Sequence, residues 1–205
     1  MEKDIEINDL DKLLKDTSIY QKLLGLKKIY DELDIKTRKF MDNFDIHCLK
    51  GCGECCKNFI PDLTNIEALY IAYGLIAENK DQIVIDNIKD HKNLKTCPFF
   101  SEFDDYHCKI YKYRPLVCRL FGSSASNNKE DKPIYRKCKW NKKSHDLNVD
   151  ELIKDKDKVI TMSEYGLKVD EIESEITEKE LLTEIIDKEI YKIKYLIEIM
   201  KETRI

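Results

Sequence analysis

The feature that most constrains this chain is a run of four cysteines within nine residues, Cys48-Leu49-Lys50-Gly51-Cys52-Gly53-Glu54-Cys55-Cys56. Thiols at this density are typical of a metal site, because thiolate is a soft ligand that suits zinc or iron and short loops bring several sulfurs to one point. Glycines flank the second cysteine, and glycine readily adopts the positive φ that a chain needs to fold back around an ion. We therefore predict a metal-holding loop over this stretch.

The chain has eight cysteines, and whether they are metal ligands or disulfides depends on the redox state of the compartment in which the protein resides. The N-terminus reads Met-Glu-Lys-Asp-Ile-Glu, which has no apolar signal core, and no window approaches the roughly 18 apolar residues of a membrane span. We therefore expect a cytoplasmic protein that does not insert into a membrane. Disulfides rarely persist in a reducing compartment, so the cysteines are interpreted as metal ligands or redox thiols rather than as a disulfide framework.

All eight cysteines are candidate metal ligands, and three partitions of them stay open. They can form two four-thiolate zinc sites, one [4Fe–4S] cluster with spare thiols, or one zinc site beside redox cysteines. Because two neighbouring sulfurs strain the backbone when they bind one ion, the last two cysteines of the run are expected to serve different ions, or only one of them to ligate. The candidates are Cys48, Cys52, Cys55, Cys56, Cys97, Cys108, Cys118 and Cys138.

Two competing interpretations of the cysteines are weaker. The spacing Cys48-x3-Cys52-x2-Cys55 also matches the cluster motif of radical-SAM enzymes, but those enzymes carry an aromatic residue where this chain has Glu54, and they need a repeating β/α barrel. His47 and His107 each adjoin a cysteine, and imidazole is a metal ligand. With enough sulfur present, we expect both histidines to lie at the surface or around the ligands.

Composition and periodicity predict a mainly α protein with an irregular cysteine-rich centre and a short β-hairpin. The chain has 205 residues, 37% of them charged, with only 6 Gly and 4 Pro to interrupt helices. This length fits a single domain over residues 1–205. We divide it into an N-terminal helical segment (1–45), a cysteine-cluster core (46–140) and a C-terminal helical segment (141–205).

Apolar residues three and four positions apart predict the helices. A long helix is expected from Ser18 to Phe44, capped by Ser18 with Gln21, after a shorter helix around Leu10 to Leu14. Thr64 with Glu67 is a capping box that starts another helix, and a further helix is expected at 81–90. Pro115 suits the start of a short helix that carries Cys118.

The chain closes with a long predicted helix whose start is marked by a capping box at Thr177–Glu180. Its apolar stripe is expected to pack on the first long helix or on another copy of the protein. Two aromatic-rich stretches, Phe99–Phe103 and Tyr106–Ile110, predict a hairpin around a turn at Asp104-Asp105. Such a hairpin would bring Cys97 and Cys108 to a shared site.

Residues 109–143 are strongly basic, since eleven Lys and Arg side chains oppose two carboxylates, a net charge of +9. A nucleic-acid surface is one interpretation. Without a recognisable binding motif, and with a net charge of −4 over the whole chain, we favour compensation for the negative charge of a metal held by thiolates. A protein partner stays open, and the oligomeric state is unknown.

The ordered cysteine motifs resemble the YkgJ-type CxxCxxCC family, described as a zinc- or iron-chelating cysteine-cluster domain. The resemblance rests on Cys48-x3-Cys52-Gly-x-Cys55-Cys56, then Cys97-Pro-Phe-Phe and Cys108-x-Ile-Tyr-x-x-Arg-Pro-x-x-Cys118-Arg-x-Phe, within residues 47–138. It departs from the family in the spacing after Cys48, where three residues precede the next cysteine and the family name implies two. The resemblance implies metal binding at Cys52, Cys55, Cys56, Cys97, Cys108 and Cys118.

Two arginines fall within the second signature of that family, Arg114 and Arg119, beside Tyr111 and Pro115. Their guanidinium groups are expected to donate hydrogen bonds to thiolates or to bind an anionic ligand. Catalytic residues are unknown, because no nucleophile–base spacing and no phosphate loop is present.

Three functional hypotheses follow. The first is a metal-binding protein that holds zinc, iron or a [4Fe–4S] cluster. The second is an enzyme or enzyme subunit acting on a protein partner, either an iron–sulfur oxidoreductase or a methylase, since a related cysteine motif occurs in the bacterial flagellin lysine methylase. The third is an interaction module stabilised by zinc.

Overall fold

The computed structural model describes residues 7–49, 51–90, 95–103, 106–141, 143–173 and 178–203. Over these residues the protein is mainly α-helical, with eight α-helices and two antiparallel sheets of two short strands each. The predicted class, mainly α with a short hairpin, is confirmed.

The helices are α1 (Ile7–Leu14), α2 (Ser18–Asn43), α3 (Asn65–Ala77), α4 (Asp81–Asp90), α5 (Leu116–Leu120), α6 (Val149–Ile153), α7 (Met162–Asp170) and α8 (Leu182–Glu202). The strands are β1 (Asp62–Leu63), β2 (Ser126–Asn127), β3 (Pro133–Ile134) and β4 (Glu180–Leu181). Strand β1 pairs with β4, with Asp62 opposite Leu181, and β2 pairs with β3, with Ser126 opposite Ile134.

Helix α3 is the centre of the fold. It is apolar nearly all round, and eleven of its thirteen residues are buried, as expected of a helix with neighbours on several sides. Helices α2 and α8 both pack on it, and α8 also contacts α1 and α4. The predicted capping box is confirmed, since Thr64 Oγ1 accepts from the Glu67 amide and the Glu67 side chain accepts from the Thr64 amide.

The long N-terminal helix forms as predicted, with its cap one residue earlier. Thr17, not Ser18, is the N-cap, and its hydroxyl accepts from the Tyr20 amide at 3.2 Å. Thr17 can take this position because its backbone is extended, which leaves Ser18 as the first helical residue. The buried stripe that faces α3 and the site is Leu23, Leu26, Tyr30, Leu33, Thr37 and Phe40.

The closing helix α8 begins later than its sequence suggests. Glu180 and Leu181 pair with β1, so the helix starts after the predicted capping box; Thr177, the first residue of that box, lies outside the described residues. The Leu182 amide donates to the Pro61 carbonyl at 3.0 Å, which ties the start of α8 to the end of the first cysteine loop. The principal neighbour of α8 is α3, not the long N-terminal helix.

The predicted hairpin around Asp104-Asp105 forms as one antiparallel bridge between Phe100 and Cys108; the two turn residues lie outside the described residues. The Lys109 amide donates to the Phe99 carbonyl at 2.9 Å, which extends the pairing. Helices α6 and α7 are additions to the predicted fold. Among the helices that the structure describes, none combines the length and apolar character of a membrane span.

Candidate metal centre

All eight cysteines line one cavity of about 520 Å³. The first cysteine loop and the segment 97–118 form one side of it, and Thr37 and Met41 of α2 form part of the other. Leu182, at the start of α8, also lines the cavity, next to Pro61. The fold therefore gathers cysteines that are up to ninety positions apart in sequence around a single space.

Two glycines shape the first cysteine loop as predicted, with φ of 73° at Gly51 and 68° at Gly53. They also allow a close approach that the sequence did not reveal. A Cβ on Gly53 would lie 2.5 Å from the Cβ of His107, and one on Gly51 would lie 2.7 Å from the Cα of Tyr106. Because these distances exclude any side chain, the glycines press the loop against the hairpin that carries Cys108.

The two halves of the site are also joined through their backbones. The Cys97 amide donates to the Cys56 carbonyl at 2.8 Å, and Thr96 Oγ1 donates to the Lys57 carbonyl at 3.0 Å. Cys97 is buried, with 7% of its surface exposed. Cys108 pairs with Phe100 in the antiparallel bridge, and Cys118 lies within α5. The hairpin and the short helix therefore add further cysteines to those of the loop.

Cys55 and Cys56 lie in a 3₁₀ turn over residues 54–57, with their sulfurs 4.0 Å apart. With zinc–sulfur bonds near 2.3 Å, two thiolates of a tetrahedral site lie roughly 3.8 Å apart. The pair therefore has a separation that suits one ion, whereas the sequence had favoured different ions or ligation by only one of the two. A hydrogen bond from Cys56 lowers the pKa of Cys55, and the same bond raises the pKa of Cys56.

Five cysteines form an inner group, defined as Cys55, Cys56, Cys97, Cys108 and Cys118. Burial, and then the neighbouring sulfurs of Cys108 and Cys55, raise the pKa of Cys97 to about 12. Burial, followed by the charges of Cys97 and Cys108, also raises the pKa of Cys118. These mutual effects place the five sulfurs within electrostatic range of one another, and ligation must displace protons from the buried ones.

The donor chemistry of the inner group fits zinc or iron, because cysteine sulfur is the characteristic ligand of both four-thiolate zinc and iron–sulfur clusters. Over the described ranges, no group of three or more His, Cys, Asp or Glu side chains could hold a metal ion as it stands. Binding would therefore need rotations of the cysteine side chains towards a common point, starting from the closely spaced Cys55 and Cys56.

The other three cysteines also line the cavity. Cys48 and Cys52 are exposed, and Cys138 is half-buried. Cys48 and Cys138 lie together against Gly122. Partial desolvation of its sulfur within the cavity, and then the charges of Cys138, Cys52 and Cys55, raise the pKa of Cys48 to about 11.

Arg114 places a positive charge beside the sulfurs. Its guanidinium stacks on the Tyr111 ring at 3.8 Å, and it donates to the carbonyls of Tyr111 and Cys118 at 3.1 and 3.3 Å. As a smaller cause after burial and hydrogen bonding, this charge lowers the pKa of Cys55 and opposes the rise at Cys118. Arg114 thus favours thiolate at the inner group.

Arg119 is nearly buried, and its guanidinium is engaged by the protein. It donates to both carboxylate oxygens of Asp34 at 3.0 and 2.9 Å and to the carbonyls of Arg114 and Lys112, each at 2.8 Å. It also lies 4.2 Å above the Tyr30 ring. These contacts fasten α5, and with it Cys118, to α2.

Glu67 holds α5 against α2 and α3, although the sequence predicted only that it caps a helix. It is 4% exposed, and its carboxylate accepts four hydrogen bonds. Oε1 accepts from Tyr30 Oη at 3.0 Å and from the Leu116 amide at 2.7 Å, while Oε2 accepts from the Thr64 amide and hydroxyl at 3.0 and 3.1 Å. One buried carboxylate therefore joins α2, α3 and the first residue of α5.

Part of the basic segment and the two histidines beside cysteines have partners within the protein. At least four cations of residues 109–143 form ion pairs: Lys112 with Glu78, Arg119 with Asp34, Lys132 with Glu130 and Arg136 with Asp146. His47 Nε2 lies 2.9 Å from Asp45 Oδ1, and His107 Nδ1 lies 3.1 Å from the Ser101 carbonyl. Both rings thus have partners other than the cysteines.

Comparison with known proteins gives one match. Residues 47–144, a little under half of the chain, match the model of the CxxCxxCC family, described as a putative zinc- or iron-chelating domain. The matched stretch contains all eight cysteines. No curated protein and no solved structure matches the chain.

Proposed function

Because residues 47–144 match the model of the CxxCxxCC family, described as a putative zinc- or iron-chelating domain, we propose that this protein holds zinc or iron in its cysteine-lined cavity. The observation that carries the proposal is the convergence of five cysteines from three separate segments on one space. The inner group would supply the thiolates. A reducing compartment such as the cytoplasm would keep them available for metal.

Four thiolates complete either a tetrahedral zinc site or a [4Fe–4S] cluster, so the inner group contains one more cysteine than either centre needs. A four-thiolate centre carries net negative charge, which the guanidinium of Arg114 offsets from its place beside Tyr111. Bound zinc would supply a redox-inert anchor, whereas an iron–sulfur cluster would supply one-electron chemistry.

Metal analysis of the full chain tests this proposal. Protein purified without oxygen is expected to carry stoichiometric zinc, or iron with sulfur-to-iron absorption in the visible spectrum. The double variant Cys56→Ser/Cys97→Ser leaves three thiolates in the inner group, fewer than either centre needs, so it is expected to lower the metal content several-fold. Met41→Leu, which changes a cavity residue that is not a cysteine at similar volume, is the control and should retain its metal.

Two results would contradict this assignment. One is anaerobically prepared protein without metal whose cysteines are joined in disulfides. The other is full metal content in the double variant Cys56→Ser/Cys97→Ser.

The size of the cavity favours an enzyme as the second candidate. A volume of about 520 Å³ lies within the roughly 300–1,000 Å³ of small-molecule sites, well above the needs of one ion. A catalytic metal keeps an open coordination position, whereas a structural one is closed. Adding imidazole to the cobalt-substituted protein should change its visible spectrum if a position is open; an unchanged spectrum would speak for a structural site.

A further inference from the structure

Gly122 brings together the two cysteines whose role the sequence left most open. Its φ is +73°, and a Cβ built on it would meet the Cys138 Cβ at 3.5 Å and the Cys48 Sγ at 3.7 Å. Glycine leaves this space empty. Both cysteine side chains therefore border the same small gap, across which their sulfurs can approach each other.

Two partly buried hydrogen bonds hold the backbone next to Cys48 and at Gly122. The His47 amide, next to Cys48, donates to Ser144 Oγ at 2.8 Å, and Ser144 is 3% exposed. Tyr135 is 1% exposed, and its hydroxyl donates to the Gly122 carbonyl at 3.0 Å.

A backbone bridge completes this framework. The amides and carbonyls of Tyr135 and Leu147 are paired at 3.0 Å, which closes the loop that carries Cys138. The juxtaposition thus depends on contacts outside the inner group, and it is built whether or not that group binds metal.

We propose that Cys48 and Cys138 form a dithiol–disulfide pair at the edge of the cavity, distinct from the metal ligands. Cys48 is exposed, so a small disulfide in solution can reach it. With the inner thiolates ligated as proposed above, this pair would remain free to respond to the thiol–disulfide balance of the surroundings.

The reaction is a thiol–disulfide exchange with a low-molecular-weight disulfide such as oxidised glutathione. One thiolate of the pair attacks a sulfur of the reagent, forms a mixed disulfide and releases one glutathione. The second cysteine then attacks the mixed disulfide, forms the Cys48–Cys138 bond and releases the second glutathione. Two electrons pass from the protein thiols to the reagent, and the two thiol protons leave with the glutathione products or the solvent.

Mass spectrometry of the metal-loaded full chain tests the pair. After exposure to oxidised glutathione the mass should fall by two hydrogens, and peptide mapping should place the new bond between Cys48 and Cys138. Cys48→Ser and Cys138→Ser should each gain a glutathione adduct instead, and both should keep the metal content of the unmodified chain.

A second pair of variants tests whether the hydrogen bond from Tyr135 to Gly122 helps Cys48 and Cys138 to form the disulfide. Tyr135→Phe removes the bond to Gly122 and is expected to slow disulfide formation several-fold. Tyr165→Phe is the matched control, because Tyr165 is equally buried and its hydroxyl donates to Glu32 on another part of the surface, so its rate should not change.

The proposal is overturned if the mapped bond joins other cysteines, or if Cys48→Ser and Cys138→Ser each lower the metal content several-fold, because both would then be ligands. Equal rates in the two tyrosine variants would also count against it. A metal-free protein that still forms the Cys48–Cys138 bond would refute the proposed metal function alone, so the two failures are distinguishable.

Discussion

Glu67→Gln is expected to be among the most destabilising conservative changes in this protein. Glutamine matches glutamate in size, so packing is preserved, but it replaces one acceptor oxygen by an NH₂ donor. All four partners of Glu67 are donors, and two of them are backbone amides, of Thr64 and Leu116, which cannot reverse their role. Whichever way the amide is turned, one buried N–H loses its acceptor.

The magnitude follows from these contacts. A hydrogen bond to a charged group contributes about 1.5–3 kcal/mol, and a buried donor left without a partner costs about 1–3 kcal/mol. The neutral side chain recovers part of the desolvation cost of the carboxylate. We therefore expect the free energy of unfolding to fall by about 2–4 kcal/mol, or a Tm about 4–16 °C lower at this chain length.

Thermal and urea unfolding, followed by circular dichroism, measure this loss. Metal concentration must be fixed, or a chelator present throughout, because metal that binds the native state adds its own stability. Glu151→Gln is the matched control, since Glu151 closes the same type of capping box with Asn148 at an exposed site. A glutamine there still caps the helix, so its effect should stay within about 0.5 kcal/mol. If Glu67→Gln fell in the same range, the four-bond argument would be refuted.

Three further outcomes follow from other contacts. Gly53→Ala forces a side chain into positive φ and against His107, so the free energy of unfolding should fall by about 2–4 kcal/mol in urea titrations; Gly166→Ala, in helix α7 with open space around it, should be neutral or stabilising. Hydrogen bonds from Lys36, Tyr165 and Lys168 lower the pKa of Glu32 to about 2. The stability that Glu32 contributes is present above its ordinary pKa near 4.5 and is lost as the pH falls towards 2. Glu32→Gln should therefore lower the free energy of unfolding by under about 1 kcal/mol at pH 7 and leave it unchanged at pH 2. A larger difference in acid than at pH 7 would contradict this sign. Chelation should lower the Tm and leave most of the helical circular dichroism, whereas a collapse of that signal would show that metal holds the fold.

The long helices could be predicted from sequence because their signal is local. Apolar residues three and four apart marked α2, α3, α4 and α8, and Thr64 with Glu67 marked the start of α3. The start of α8 could not be placed this way, since the pairing of Glu180 with Leu63 is a contact between distant parts of the chain. Helix α6 was missed because its five residues are too few to show a period.

The residues of the candidate site could be predicted from the sequence, but the contacts between them could not. Cysteine spacing predicted the loop, and the flanking glycines predicted the positive φ, because both depend on neighbouring residues. Besides capping α3, Glu67 accepts hydrogen bonds from Tyr30 and Leu116, which are 37 and 49 positions away. The approach of Gly53 to His107 is of the same kind, and so is the meeting of Cys48 and Cys138 at Gly122. A pattern within one stretch carries no information about such partners.

The way α5 is held bears on what the metal is for. Small zinc domains without a sufficient core fold only when metal is bound. Here α5, which carries Cys118, is fixed by Glu67 at its first residue and by Arg119 against Asp34, and neither contact involves sulfur. The apolar core runs through α1 to α4 and α8, and Cys97 is the one cysteine buried in it. Since the protein already positions the helix that carries Cys118 by these contacts, a metal that served only to hold the chain together would add little, which argues for a centre retained for its chemistry over an interaction module stabilised by zinc.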